Sequence, residues 1–352
     1  MNVGKLDQVD ELAGGLMSGN LSFEVARAQL NEIILSPPPH STWHKLVAHG
    51  MLASSSTLLF FGGGWWDGLF SFILGVCAGA ISCLTQTRRY KHFVRIEAFI
   101  AAFFGAFGAR FLHRYTMPEE TCFLAMSLGV ITWHLPGLTV TTGVTELASS
   151  SIVSGSSRMF ASLTMALQPG FGLSVGSRAI LWDDEPDKAK CSQPVPDWFI
   201  PIGFAMYVSA QVVLLSIRCE PINLIGVYGA AAGGFVTSNV LQMSAFINAD
   251  IRSFHSAMAV GIIGGIHSRL RGRQNLSSVV CGLLMLVPGG LGLMGVKAFM
   301  DEDVLSGLKL GFQMFSVSLS ITIGLLVAKV FVFPVSINQK INYDQPSLQA
   351  LM

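Results

Sequence analysis

Two Pro-Gly pairs, Pro136-Gly137 and Pro288-Gly289, stand inside long apolar stretches. Proline removes a backbone donor and glycine loosens the turn, so each pair should break or kink a helix near mid-bilayer. Backbone groups freed in this way can hold an ion or a carboxylate. Thr139, Thr141, Thr142, Thr145 and Glu146 follow the first pair; Gly290, Gly292, Gly295 and Lys297 follow the second. One stretch thus offers hydroxyls and a carboxylate, the other close backbone and an ammonium. That asymmetry suits a small zwitterionic or anionic solute. The candidate substrate-binding residues are Pro136, Gly137, Thr139, Thr142, Glu146, Pro288, Gly289 and Lys297. The plainer alternative makes both pairs structural kinks, with the threonines hydrogen-bonded to the preceding turn.

Isolated titratable groups are the second source of chemistry. Glu97 lies within the third apolar run and His134 immediately precedes the first break; Asp250, His255 and His267 bracket a later run. Ionisable groups within a membrane are costly and often mark proton paths. Glu97, Glu146 and His134 are the proton-coupling candidates. Against this, Glu97 is close enough to Arg95 to pair with it at the interface, and a lone histidine is commonly satisfied locally. No HExxH, GxSG, GxGD, P-loop or Rossmann fingerprint is present, which disfavours a protease or an ATP-driven pump. No catalytic residue, metal or cofactor is expected. The six cysteines (77, 83, 122, 191, 219 and 281) form no CxxC pair and read as small packing residues.

The elements that must carry these residues follow from composition. Hydrophobic residues make up 51% of the 352-residue chain and charged ones 12%, against about 25% charged in a soluble domain. The net charge of +1 gives no reason to expect nucleic acid. A bilayer can solvate this much apolar surface. The expected fold is an all-α polytopic membrane protein with about ten transmembrane helices, near 45–62, 66–84, 94–112, 121–135, 155–181, 198–217, 222–242, 253–270, 277–297 and 304–333. The fourth is short and can continue past Pro136 as a broken helix. The expected layout is a short cytosolic amphipathic segment (1–42), a first five-helix repeat (43–182), a linker (183–197), a second five-helix repeat (198–335) and a tail (336–352). In the opening segment Ser22 should cap a helix with an apolar stripe of Val25, Ala26, Leu30, Ile33 and Ile34, ended by Pro37-Pro38-Pro39. That segment lacks a long apolar stretch, so no cleavable signal is expected. Trp43, Trp65, Trp66, Trp182 and Trp198 mark helix ends at headgroup level; Trp133 does not fit that belt. Four GxxxG pairs, beginning at Gly75, Gly172, Gly229 and Gly261, read as packing faces.

The repeat is internal to the sequence. Shifted by 152 residues, Pro136-Gly137 falls on Pro288-Gly289, Gly143-Val144 on Gly295-Val296 and Ser154-Gly155 on Ser306-Gly307. Phe160, Leu167, Gly172, Leu173 and Val175 fall on Phe312, Leu319, Gly324, Leu325 and Val327. These are 11 identities in the 41 gapless positions from Pro136 to Gly176. Composition alone gives on the order of three or four. An odd number of helices per repeat inverts the second copy, as in many secondary transporters. Charge agrees: Arg88, Arg89, Lys91 and Arg95 follow the second helix, whereas Arg269, Arg271 and Arg273 follow the eighth. With cytosolic termini both clusters face the cytosol, while Asp183-Asp184-Glu185 and Asp301-Glu302-Asp303 lie outside.

Gly4-Lys5-Leu6, the stretch from Ser22 to Ile34, Pro37-Pro38-Pro39 and Gly62-Gly63-Gly64-Trp65-Trp66-Asp67 resemble the first half of the threonine/serine exporter family. Leu135-Pro136-Gly137-Leu138 with Ser154-Gly155 does so too, and Leu286-Val287-Pro288-Gly289 with Leu305-Ser306-Gly307 is similar to the second half. Fungal pheromone-regulated membrane proteins share the likeness, which covers nearly the whole chain. The resemblance implies ten membrane helices and proton-driven export of small hydroxy amino acids. It also implies relatives that move dicarboxylates such as succinate, often as two separate half-chains. Family members carry a longer soluble stretch before the position of Val3-Gly4-Lys5, so a lost or missing stretch is expected here. The expected function is proton-coupled export of a small polar metabolite by alternating access. The rivals are a dicarboxylate exporter, a non-transporting signalling or fusion factor, and a passive channel. The expected partners are the solute, protons and the lipid bilayer, with a homo-oligomer compatible.

Overall fold

Short polar side chains open the first helices. Asn2 accepts the Lys5 N–H at 3.0 Å and starts α1 (Val3–Met17); Ser22 accepts the Val25 N–H at 3.4 Å and starts α2 (Phe23–Leu35). Gly19, at φ 74°, turns the chain between them. The structure, a computed structural model, describes residues 2–87, 89–116, 120–179, 195–244, 247–271, 276–287 and 289–333. The capped helix expected in the opening segment is α2, and α1 is an addition to it. Helix α1 docks on the far half of the molecule: the N–H groups of Val3 and Gly4 donate to Leu215 O at 3.1 and 3.3 Å, and Val3 is fully buried.

The first half continues as α3 (Thr42–Leu59), α4 (Trp65–Thr85), a 3₁₀ turn (Lys91–Ile96) leading into α5 (Glu97–Tyr115), α6 (Phe123–Val130), a 3₁₀ turn (Thr132–His134), α7 (Gly137–Ala148) and α8 (Ile152–Arg178). The second half comprises α9 (Ile200–Leu214), α10 (Pro221–Gln242), α11 (Ala249–Arg271), α12 (Leu276–Leu284), α13 (Gly289–Met300) and α14 (Val304–Val332). Adding 152 to the first residues of α5, α7 and α8 (97, 137 and 152) gives those of α11, α13 and α14 (249, 289 and 304). The element boundaries therefore keep the register of the sequence identities.

Five helices are long and apolar enough to cross a membrane: Trp65–Thr85, Lys91–Tyr115, Asp197–Leu214, Pro221–Gln242 and Val304–Val332. Two more spans are counted if each bent pair, α6 with α7 (53°) and α12 with α13 (41°), is one crossing. Helices α3, α8 and α11 have the length, at 18, 27 and 23 residues, but are too polar or charged to join them. The described residues thus give five to seven candidate spans where ten were expected. The shortfall lies in helices that carry serine, histidine and arginine; the buried ones are serines, one threonine and His49, while Arg158, Arg178 and Arg269 are exposed. The linker up to residue 194, the tail, Arg88, Arg273 and Pro288 lie outside the described residues.

Small residues let the helices close up. A Cβ at Gly172 or Gly176 of α8 would come within 2.6 and 2.5 Å of the carbonyl oxygens of Phe99 and Phe103 on α5, and one at Gly324 of α14 would strike Phe254 O on α11. Phe160 and Phe312, identical across the repeat, are 71% and 74% exposed and form surface that lipid would cover. Besides the docking of α1, the halves meet along two packed seams. Helix α3 packs on α9 through Ala48, Leu52, Tyr207, Ala210 and Leu214. The broken helices cross over: α7 leans on α14, with Thr145 and Thr322 hydroxyls 3.0 Å apart, while α13 leans on α8. Trp65 stacks on Trp198 at 5.9 Å at one end of this seam.

One cysteine reading is corrected. Cys122 is disulfide-bonded, whereas Cys77, Cys83, Cys219 and Cys281 are free. Cys122 caps the start of α6 beside a loop, not the interior of an apolar run, so lipid packing does not govern it.

Candidate functional site

The two chain breaks touch. Proline disfavours helical geometry in the residue before it, and Leu135 is extended at ψ 130° ahead of Pro136. Helix α7 then restarts at Gly137, and α13 starts at Gly289. A Cβ on Gly137 would lie 2.9 Å from Gly289 N and 3.0 Å from its Cα; one on Gly289 would lie 2.8 Å from Leu135 Cβ. Glycine at both positions is what allows this approach. The beginnings of α7 and α13 therefore meet, and each carries the partial positive charge of a helix N-terminus.

A buried polar cluster adjoins the first break. Glu97, the first residue of α5, accepts hydrogen bonds from Ser82 Oγ at Oε1 and Thr85 Oγ1 at Oε2, both at 2.6 Å. Ser82 and Thr85 lie one turn apart on α4, so one helix face offers both hydroxyls to one carboxylate. The 3₁₀ turn brings His134 Nε2 to 3.3 Å from Glu97 Oε1 and from Ser82 Oγ. The side chains of His134 and Glu97 are only 7% and 17% exposed. Arg95, by contrast, is exposed. The cluster can hold a proton between an imidazole and a carboxylate three residues before Gly137. Sequence reading named Glu97 and His134 but passed over Ser82 and Thr85, whose i, i+3 spacing inside an apolar helix was the available signal.

Other candidates sit elsewhere. Glu146 pairs with Arg158 at 2.9 Å and accepts from Ser154 at 2.6 Å, at the corner between α7 and α8. Thr142 donates to Thr139 O, Thr141 to Gly137 O and Thr145 to Thr141 O, at 3.0, 3.0 and 2.8 Å, which is the back-bonding alternative. Lys297 donates to Asp301 at 2.6 Å, and Arg178 joins the same carboxylate at 2.8 Å. At 1.5 Å per residue, Glu146 and Lys297 lie about 13 and 12 Å along their helices from Gly137 and Gly289. Pro136 flanks the contact itself, and Pro288 lies outside the described residues. His255 Nδ1 donates to its own helix at Ile251 O, 2.8 Å away. Among the described residues no group of three His, Cys, Asp or Glu is placed to hold a metal.

The GGGWWD block has a mechanical role. Asp67 is fully buried, accepting the Gly64 N–H at 2.8 Å and the Cys122 N–H at 2.7 Å. One carboxylate thereby caps α4 and ties the start of α6 to it.

Comparison with known proteins agrees with this architecture. The threonine/serine exporter family model matches residues 1–179, and a second, "Threonine/Serine exporter, ThrE", matches residues 202–331. "Pheromone-regulated membrane protein 10" of Debaryomyces hansenii is 26% identical over 95% of this chain and 35% of its own length. An uncharacterized protein of Schizosaccharomyces pombe is 29% identical over 93% of this chain and 42% of its own. The Saccharomyces cerevisiae S288c "Pheromone-regulated membrane protein 10" is 23% identical over 95% and 91%. The chain spans less than half the length of the first relatives it matches. No solved structure matches. With one family description over each half, the chain belongs to the threonine/serine exporter family.

Proposed function

We propose that this protein is a secondary transporter that exports a small hydroxy amino acid, threonine or serine, in exchange for protons. In this reading two inverted five-helix repeats make ten crossings and rock about the paired breaks. Family membership supports the transport class. The observation that carries the coupling is the Glu97–His134 pair, 3.3 Å apart and joined by two residues to a break that touches its counterpart. Protonation there can bias the angle of α7 against α13. The convergent N-termini suit a cargo carboxylate, and the threonines of α7 can exchange a backbone partner for a cargo hydroxyl.

Reconstituted vesicles loaded with labelled threonine, serine or succinate test the reading. Efflux of threonine or serine that follows an imposed pH gradient is expected. Gradient-driven flux of succinate alone would assign the dicarboxylate reading, which the two convergent N-termini also favour. No gradient-dependent flux of any of the three would leave the non-transporting rival, which the pheromone-regulated fungal relatives favour.

A further inference from the structure

The Glu97 cluster has a neighbour that sequence reading did not select. His49 lies on α3 and is 8% exposed. Its Nδ1 is 2.9 Å from Lys45 O, an acceptor, so Nδ1 carries the hydrogen and Nε2 is left with a lone pair. That Nε2 is buried and has no partner among the described residues. His134 has the same deficit from the other side. Its Nε2 faces a carboxylate and a hydroxyl that is already donating, so Nε2 carries the hydrogen and Nδ1 is the buried, unpartnered atom.

The surroundings hold the two rings in one region. The His49 ring stands edge-on to Trp133, the residue before His134, with centroids 5.8 Å apart. His49 is close enough for the charges of His134 and Glu97 to act on it. Gly79 on α4 makes room for the imidazole, since a Cβ there would lie 2.8 Å from His49 Cγ. The titratable groups around His49 are Lys45 on α3, Glu97 on α5 and His134 on the 3₁₀ turn; Cys83 on α4 neighbours Lys45 and Glu97. Tyr207 of α9 belongs to the cluster of Ala48, Leu52 and Trp133, with its hydroxyl committed to Leu284 O at 3.1 Å.

Two buried acceptor nitrogens without donors are a costly arrangement unless a proton or water visits them. We propose that His49 and His134 pass the coupled proton between them. The His134 Nδ1–H bond breaks as its proton passes to a bridging water, and a different O–H of that water breaks as its proton bonds to the His49 Nε2 lone pair, so the water is regenerated and only the charge moves. Glu97 stabilises the cationic ring throughout. Lys45, one helical turn before His49, places this end of the relay toward the start of α3. This inference rests on the transport reading only for the word "coupled"; the proton exchange itself is independent of cargo.

Histidine ring ¹⁵N spectra of the full chain in lipid vesicles, recorded across a pH series, test it. Linked titration of His49 and His134 is expected in the unaltered protein. His49→Gln should move the His134 midpoint by several tenths of a pH unit, and Glu97→Gln should move both. His255→Gln, on a ring bonded within its own helix, should move neither. In flux assays His49→Gln should lower gradient-driven efflux about tenfold while cargo exchange without a gradient persists. An unmoved His134 midpoint in His49→Gln, or independent titrations in the unaltered protein, would overturn the relay. Absence of all flux alongside linked titrations would overturn the transport reading and leave the relay standing. If His49→Gln fails to fold, the unaltered and Glu97→Gln spectra decide alone.

Discussion

Glu97 receives two hydroxyl hydrogen bonds and one contact from an imidazole, all from side chains on other elements. Replacing it with glutamine keeps the shape and removes the charge. Gradient-driven efflux through Glu97→Gln should fall on the order of a hundredfold, the usual scale for losing a positioned proton carrier. Exchange of labelled for unlabelled cargo at equal pH should survive, because it needs no net proton movement. Loss of both activities in a folded protein would make Glu97 structural. At this scale the sequence was informative where a charge stood out against apolar surroundings, as Glu97 and His134 do. It was silent where the group was ordinary for a helix: Ser82 and Thr85 are common small polar residues, and only the α4–α5 hairpin shows that both reach one carboxylate. Glu146 misled for the opposite reason. Its proximity to the break in sequence suggested a shared site, but nine helical residues carry it to a surface pair with Arg158.

At the scale of elements, the paired breaks invite a direct perturbation. Leucine at Gly137 places a branched side chain where Gly289 N and Cα already stand within 3.0 Å of a Cβ. Overpacking of this kind costs about 1–3 kcal/mol. Gly137→Leu should therefore insert and fold with a lowered melting temperature in detergent, and transport by less than a tenth of the unaltered rate. The same holds for Gly289→Leu, which meets Leu135. Full transport in both variants would remove the breaks from the mechanism. These breaks were legible because proline and glycine act locally, on the turn that contains them. Helix α1 was not, because Gly14 and Gly15 dilute its stripe and its stability comes from docking on Leu215 and Ile217, about two hundred residues away. The span count was only partly legible. Helices α3, α8 and α11 occupy the expected places, yet their polar and charged residues lower the mean hydropathy, so hydropathy alone does not count them.

Across the whole molecule, α1 links the beginning of the chain to the second half. Ser277, at the start of α12, donates its backbone N–H at 3.3 Å and its hydroxyl to Asp7. Burial pushes the Asp7 carboxyl above its ordinary range, and the Ser277 bonds offset this only in part. A raised value means the docked helix holds the proton more tightly than the undocked one. Docking is then strongest below the ordinary carboxylate range and weakens as pH rises through the raised value. Amide exchange over Val3–Met17, corrected for intrinsic rates, should show more protection as pH falls from neutral towards the ordinary carboxylate range. Asp7→Asn should flatten that dependence while α1 remains docked. Protection that grows with rising pH would reverse the sign and refute the account. None of this coupling could be read from residues 1–42 alone, since the partner lies 270 residues further along the chain.

The crossed packing of α7 on α14 and α13 on α8 means that neither bundle is self-sufficient. Each lends its discontinuous arm to the other and receives one in return, in the manner of clasped hands. A polypeptide severed within the connecting stretch should therefore still yield a joined pair, because separation would strip both partners of an inner wall. Synthesised alone, either fragment would present a vacant groove shaped for the missing arm.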